Sequence, residues 1–144
     1  MKLSTKSRYG TRLILDLANH YEKGAVQLSE IAGRQGISQK YLEQILKPLR
    51  KEGIVKSVRG AKGGYVLGRH PSKISVGEIV ALLEGGTMIC ECTENAMICE
   101  RADSCLTRDM WTKAAKALFD ELYAVSFLDL VRRQNRKTEI DNDL

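Results

Sequence analysis

Between Ser4 and Glu22 the apolar side chains fall at Tyr9, Leu13, Ile14, Leu17, Ala18 and Tyr21. That spacing is close to 3.6 residues, so one face of a helix is apolar, and Ser4 or Thr5 stands where an N-cap is needed. A second, short helix is expected in Leu28-Ser-Glu-Ile-Ala-Gly-Arg-Gln, stopping at Gly36, and Ser38 then caps a third that reaches about Glu52. In the third, Leu42, Ile45, Leu46 and Leu49 repeat at i, i+3, i+4 and i+7 and must face inward. Gln39, Lys40, Glu43, Gln44 and Lys47 are left facing outward. Pro48 lies inside this stretch, where a missing donor and a crowded turn cost about 3 kcal/mol, so a kink or an early end is expected. Two helices joined across a glycine turn make a helix-turn-helix.

After Gly53 the period changes. Ile54-Val-Lys-Ser-Val-Arg and Tyr65-Val-Leu-Gly are β-prone runs on either side of Gly60-Ala-Lys-Gly-Gly, which predicts a hairpin with a cationic tip, a wing beside the helices. Residues 75–84 return to helix, capped by Ser75 and ended by Gly85-Gly86, and a loop from Thr87 to Ser104 follows. Beyond Cys105, a helix of about twenty residues sets Trp111, Ala114, Ala115, Leu118, Leu122 and Val125 on one stripe. So long a helix overreaches a small domain, which favours a homodimer seam over packing back onto the first half. Phe127-Leu-Asp-Leu-Val reads as a short helix, and Arg132–Leu144 as a polar, flexible tail. The expected class is mostly α with a small β-hairpin (α+β). Its expected units are a winged helix-turn-helix over 1–84, a cysteine-bearing loop over 85–105, a long dimerisation helix region over 106–131, and the tail over 132–144.

Charge sharpens this division. Residues 1–70 hold 14 Lys/Arg against 5 Asp/Glu, a net +9, whereas residues 71–144 hold 9 against 13, a net −4. Only the first half reads as a polyanion binder. On the third helix Gln44 can pair bidentately with adenine, Glu43 can accept from cytosine N4, and Ser38 and Lys40 at the helix start suit phosphate or base contact. Arg59 and Lys62 suit a narrow minor groove, and the tip glycines allow close backbone approach. A nucleotide-cradling loop is disfavoured, because no Gly-Lys-Ser/Thr ending or following helix accompanies the glycines. The start has no apolar run for a signal peptide, and no window approaches the ~18 apolar residues of a membrane span, so a cytoplasmic protein with no membrane partner is expected.

Four cysteines, Cys90, Cys92, Cys99 and Cys105, fall within sixteen positions of the acidic half. In a reducing compartment such a cluster points to metal ligation or redox sensing before disulfides. The spacing lacks the CxxC pairs of a zinc knuckle and better suits an iron–sulfur cluster, with zinc or thiol-only sensing as alternatives. His20 and His70 are expected to be ordinary surface residues.

Lys2-Leu-Ser-Thr-Lys-Ser-Arg-Tyr-Gly, Gln35-Gly-Ile-Ser, Tyr41-Leu-Glu-Gln, Leu49-Arg-Lys, Ser57-Val-Arg-Gly, Gly63-Gly-Tyr and Cys105-Leu-Thr together resemble the IscR/NsrR/CymR family of bacterial winged-helix regulators, over about residues 1–130. The resemblance implies a homodimeric transcription regulator, expected to be a repressor and not an enzyme, with a double-stranded DNA operator as partner. It implies that Ser38, Lys40, Tyr41, Glu43 and Gln44 meet the major groove and that Arg59, Lys62, Gly63 and Gly64 meet the minor groove. It also implies that Cys92, Cys99 and Cys105 hold an iron–sulfur cluster, 2Fe–2S or alternatively 4Fe–4S. IscR-like members often place a histidine ligand three positions after the last cysteine, where this chain has Arg108, which cannot ligate. NsrR-like members can recruit a carboxylate near the N-terminus, where this chain has Arg8. The fourth ligand is left to Cys90, with solvent, a small thiol, Glu91 or Glu100 as alternatives. Some CymR-like members carry no cluster and answer to a partner protein, so cluster-assembly proteins or a metabolic enzyme are further candidate partners. A zinc or thiol-switch regulator of the cysteine-metabolism type is the alternative function. A redox carrier is the more distant one, since no general acid/base pair stands out.

Overall fold

The computed structural model describes residues 2–144. Helix α1 spans Thr5–Asn19 and begins at Ser4, whose hydroxyl accepts from Ser7 N at 3.1 Å. Its buried side carries Leu13, Ile14, Leu17 and Ala18 and crosses α4, Val76–Glu84, at Gly10. A Cβ at Gly10 would stand 2.2 Å from Leu83 Cδ1 and 3.3 Å from Ile45 Cγ2, so any side chain here would push Leu83 aside. Helix α2, Leu28–Gln35, stops at Gly36 with φ 64°, and Ser38 opens α3, Gln39–Lys51, by accepting from Tyr41 N. Leu42, Ile45, Leu46 and Leu49 are all buried, as their spacing predicts. Pro48 does not stop α3, which runs on to Lys51. Pro48 stands in the last turn, and the burial of Leu46 and Leu49 on either side of it offsets the missing donor.

Strands β1, Val55–Val58, and β2, Gly64–Leu67, pair antiparallel with Val55 opposite Leu67 and Val58 opposite Gly64. A single bridge attaches this hairpin to the α1–α2 connection: Tyr65 N donates to Val26 O at 2.8 Å and Val26 N to Tyr65 O at 3.0 Å. The expected mostly α class with one small hairpin in a winged helix-turn-helix is the architecture observed.

The acidic half holds more regular structure than its sequence shows. Between Gly85 and Cys105 lie a four-residue helix, α5, Glu91–Glu94, and two 3-10 turns, Ala96–Ile98 and Ala102–Ser104. Helix α6 follows over Leu106–Tyr123. It buries Ala115 and Phe119; of the expected stripe Trp111, at 45%, and Ala114 are exposed, and outside that stripe Leu106 and Met110 are 80% and 61% exposed. Residues 132–144 correct an expectation: they are not a tail beyond a short helix, because α7 runs unbroken over Phe127–Asn142. A reciprocal Ser126–Asp129 capping box starts α7, and a run of Arg, Gln, Lys and Glu sustains it without an apolar stripe. Its first residue, Phe127, is fully buried in the core, where Phe127 N donates to Ile74 O at 3.0 Å and Val76 N to Val125 O at 2.9 Å. Among the described residues no helix is long and apolar enough to cross a membrane.

Candidate nucleic-acid interface and cysteine loop

Because four leucine and isoleucine side chains pin α3 to the core, its opposite face is held outward as a rigid polar ridge. Ser38, Lys40, Glu43 and Gln44 are all exposed on it, with Gln39 and Lys47 between and beyond them. Tyr41 is placed differently from these: half-buried, its ring meets Tyr9 edge-on with centroids 6.0 Å apart. Tyr9 in turn lies beneath the Arg12 guanidinium at 5.5 Å.

Behind this ridge is a polar network that hydrophobic periodicity does not reveal. Asp16 is 5% exposed and accepts from Arg34 Nε at 3.0 Å, Arg34 Nη2 at 2.7 Å and Gln35 Nε2 at 2.9 Å. Arg12 donates to Gln35 Oε1 at 3.0 Å and to Gln35 O at 2.7 Å. Burial alone would raise the Asp16 pKa, but the hydrogen bonds from Arg34 and Gln35 and the charge of Arg34 hold it below the usual carboxylate range. The network fastens α2 to α1 and so fixes where α3 emerges. A signal for it was present: Asp16 lies on the apolar side of α1, next to Leu17.

At the wing, Arg59 and Lys62 are exposed around a turn closed by Gly63 N donating to Gly60 O at 3.0 Å, with Gly60 at φ 110°. The close approaches of Gly63 and Gly64 are to the chain's own backbone. A Cβ at Gly63 would lie 2.3 Å from Val58 O, and one at Gly64 would lie 2.2 Å from Val26 O. Between the end of α3 and β1 runs a groove lined by Lys47, Arg50, Lys51, Lys56 and Ser57, with Arg50 Nη2 donating to Ser57 Oγ at 3.4 Å. The described ion pairs of lysine and arginine use only Arg34, Arg69 and Lys116, so the cations of ridge, groove and wing carry no described carboxylate partner. Of this groove, only Lys47 belongs to the outward face that the α3 spacing predicts.

The four cysteines are free thiols. Cys90 and Cys92 lie together, sulfur to sulfur 3.6 Å, while Cys105 Sγ contacts Thr107 Oγ1 at 3.2 Å and Cys99 is exposed. Contact with Cys90, together with burial, pushes the Cys92 thiol up. Cys105 stands at the start of α6, where the Thr107 hydroxyl and the Arg108 backbone amide pull its thiol down. Arg108 does not face the sulfurs as a ligand would: its Nε donates to Cys92 O at 2.7 Å and its Nη1 to Ala102 O at 3.5 Å, tying two points of the loop to α6. Four soft donors on one loop suit a thiophilic metal in kind. In position they form one pair and two separate thiols, and among the described residues no three Cys, His, Asp or Glu side chains converge on a metal-sized site.

The family model described as Rrf2, iron-dependent transcriptional regulator, matches residues 3–133. This chain belongs to the Rrf2 family. The protein rrf2 of Nitratidesulfovibrio vulgaris is 46% identical over 132 residues, covering 92% of this chain and 88% of that protein. The HTH-type transcriptional regulator IscR of Xenorhabdus nematophila is 39% identical over 134 residues, covering 93% and 81%. Among solved structures, CymR, the global cysteine regulator of B. subtilis, superposes with a TM-score of 0.77 at 38% identity, covering 92% of this chain and 98% of that one. IscR of T. potens gives 0.77 at 40% identity, covering 93% and 88%. As an Rrf2 protein the chain is a DNA-binding transcriptional regulator, not an enzyme.

Proposed function

We propose that this Rrf2 protein is a homodimeric repressor whose grip on its operator follows the state of an iron–sulfur cluster on the cysteine loop. Two copies joined along the uncovered Leu106, Met110 and Trp111 edge of α6 present two α3 ridges to successive major-groove faces about 34 Å apart. In each, Ser38, Lys40, Glu43 and Gln44 face base edges and phosphates, with Tyr41 supporting the ridge from within. Arg59 and Lys62 enter the flanking minor groove on the turn built by Gly63 and Gly64.

Cys92, Cys99 and Cys105 would hold the cluster, with Cys90 as fourth ligand and 2Fe–2S favoured over 4Fe–4S. When bound, such a cluster supplies a redox-sensitive crosslink among thiolates. Arg108 carries the consequence. By holding Cys92 O and Ala102 O, it converts the order of the loop into the position of the first turns of α6, and hence of the dimer seam. This clasp, on a loop with four free thiols, is the observation that carries the reading.

The test is purification without oxygen, followed by iron and acid-labile sulfide analysis, visible absorbance and operator binding of wild type beside the Cys92→Ala/Cys99→Ala/Cys105→Ala variant. A coloured, iron-bearing protein whose operator affinity changes on loss of the three thiols is expected. A colourless, iron-free protein indifferent to the triple replacement would sink the cluster reading and leave a regulator governed by zinc or by thiols alone.

A further inference from the structure

Cys90 is the cysteine that the three-ligand reading needs least, yet it has the closest sulfur neighbour. Its Sγ lies 3.6 Å from that of Cys92, and bond formation at about 2.05 Å needs a closure of roughly 1.5 Å. The backbone is braced on both sides of the pair. Thr93, itself buried, donates to Cys90 O from its hydroxyl at 2.7 Å and from its amide at 3.2 Å, and Arg108 Nε holds Cys92 O at 2.7 Å. Such bracing gives the two sulfurs a high effective concentration toward each other. Among the described residues neither Cys99 nor Cys105 has a sulfur neighbour of this kind, and the Cys105 sulfur is engaged by Thr107.

We propose that Cys90 and Cys92 form a reversible disulfide when the loop carries no cluster, a modification that withdraws Cys92 from the ligand set until it is reduced. With hydrogen peroxide as oxidant, the Cys90 thiolate attacks one peroxide oxygen, the O–O bond breaks, and the departing hydroxide takes a proton to leave as water. The sulfenic acid on Cys90 is then attacked by the Cys92 sulfur: an S–S bond forms, the S–O bond breaks, and hydroxide leaves with the Cys92 proton as a second water. The two thiols lose two electrons and two protons, and the peroxide is reduced to two waters. A bridge across a single residue is strained, and strained disulfides are the readily reduced, regulatory ones.

The formation of the bond is independent of the cluster reading; only its consequence for loading rests on it. The full-length protein is stripped with chelator, treated with hydrogen peroxide, alkylated and cut after glutamate. Cleavage at Glu91, Glu94 and Glu100 puts each of the four cysteines on a separate fragment. Fragments 85–91 and 92–94 should remain joined, two of the four thiols should be lost, and dithiothreitol should restore both, while Cys90→Ser keeps Cys92 alkylatable. Links between any other pair, links between chains, or no link at all overturn the proposal. Given ferrous iron and sulfide, the oxidised protein should stay colourless until dithiothreitol is added. Equal loading of oxidised and reduced protein overturns the withdrawal of Cys92. A reduced protein that also fails to load sinks the cluster reading alone, and the mapped link still decides the disulfide.

Discussion

Replacing Asp16 by asparagine keeps the size of the side chain and removes its charge from beneath two Arg34 hydrogen bonds and one from Gln35. A hydrogen bond to a charged group contributes ~1.5–3 kcal/mol when buried. The Arg34 side chain is 40% exposed and can rehydrate, so its pair with Asp16 is discounted to about 1 kcal/mol. Turning a Gln35 donor toward the new amide loses about 1 kcal/mol more. The expected destabilisation is therefore about 2 kcal/mol at pH 7, or ~8 °C in Tm for a chain of this size. Its pH dependence has a definite sign. The folded carboxyl titrates below its unfolded value near 3.8, so its contribution is fully present above about pH 4 and is lost as pH falls through the folded value. Urea unfolding of wild type and Asp16→Asn from pH 7 to pH 3 should show a gap that is constant to about pH 4 and then narrows. A variant as stable as wild type at pH 7, or a gap that widens on acidification, would refute the assignment of Asp16 as the charged fastening between α1 and α2.

Gln44→Ala should relax base preference at one operator position by ~1–3 kcal/mol of discrimination, whereas Lys62→Ala should weaken every duplex and lower the salt slope by about 1. Equal behaviour of the two variants across salt and sequence in a fluorescence titration would contradict their assigned places on ridge and wing. The groove between α3 and β1 predicts that Arg50→Ala/Lys56→Ala lowers the salt slope by ~2 without changing base preference, and an unchanged slope removes that groove from the phosphate path. Phe127→Ala should cost ~3–5 kcal/mol in denaturant unfolding, because a fully buried ring is removed where α7 joins the core, and a loss under ~1 kcal/mol would mean that α7 docks by its backbone bonds alone.

The helices of the first half were legible where a boundary has a local chemical cause: Ser4, Ser38 and Ser75 accept from the amide three residues on, and Gly36 and Gly85 adopt left-handed conformations. The wing was legible for the same reason, though the physical role of its glycines was not. Gly63 and Gly64 are needed by Val58 and Val26, contacts that depend on the tertiary path of the chain. Only the start of α7 is legible, because residues 132–142 are exposed on every side, so no apolar period marks a helix that is set by its cap and its helix-forming residues. The stripe on α6 includes buried Ala115 but not buried Phe119, whose side is chosen by α4 and by the segment of Met88 and Ile89. The cysteines were obvious, but their pairing was not: Cys90 with Cys92 follows from the short helix α5 and from Arg108, neither of which has a signature in the spacing of sulfurs.

Two fixed points bound the cysteine segment, and they belong to different parts of the molecule. At its start, Glu84 accepts from Ser4 N at 2.8 Å, from Ser4 Oγ at 2.7 Å and from Ser7 Oγ, bonds that also hold its carboxyl below the usual range. This end is welded to the first turn of α1 and so to the DNA-reading body. At its far end Arg108 holds the loop to α6, which leaves Leu106, Met110 and Trp111 exposed. Between them Gly85 and Gly86, at φ 81° and 149°, allow rotations closed to other residues. A change in loop order therefore cannot spread evenly. On the proposed dimer, the α1 end resists it, the glycines turn, and the displacement falls on the start of α6, so that a shift of the proposed seam repositions the two α3 ridges on the operator.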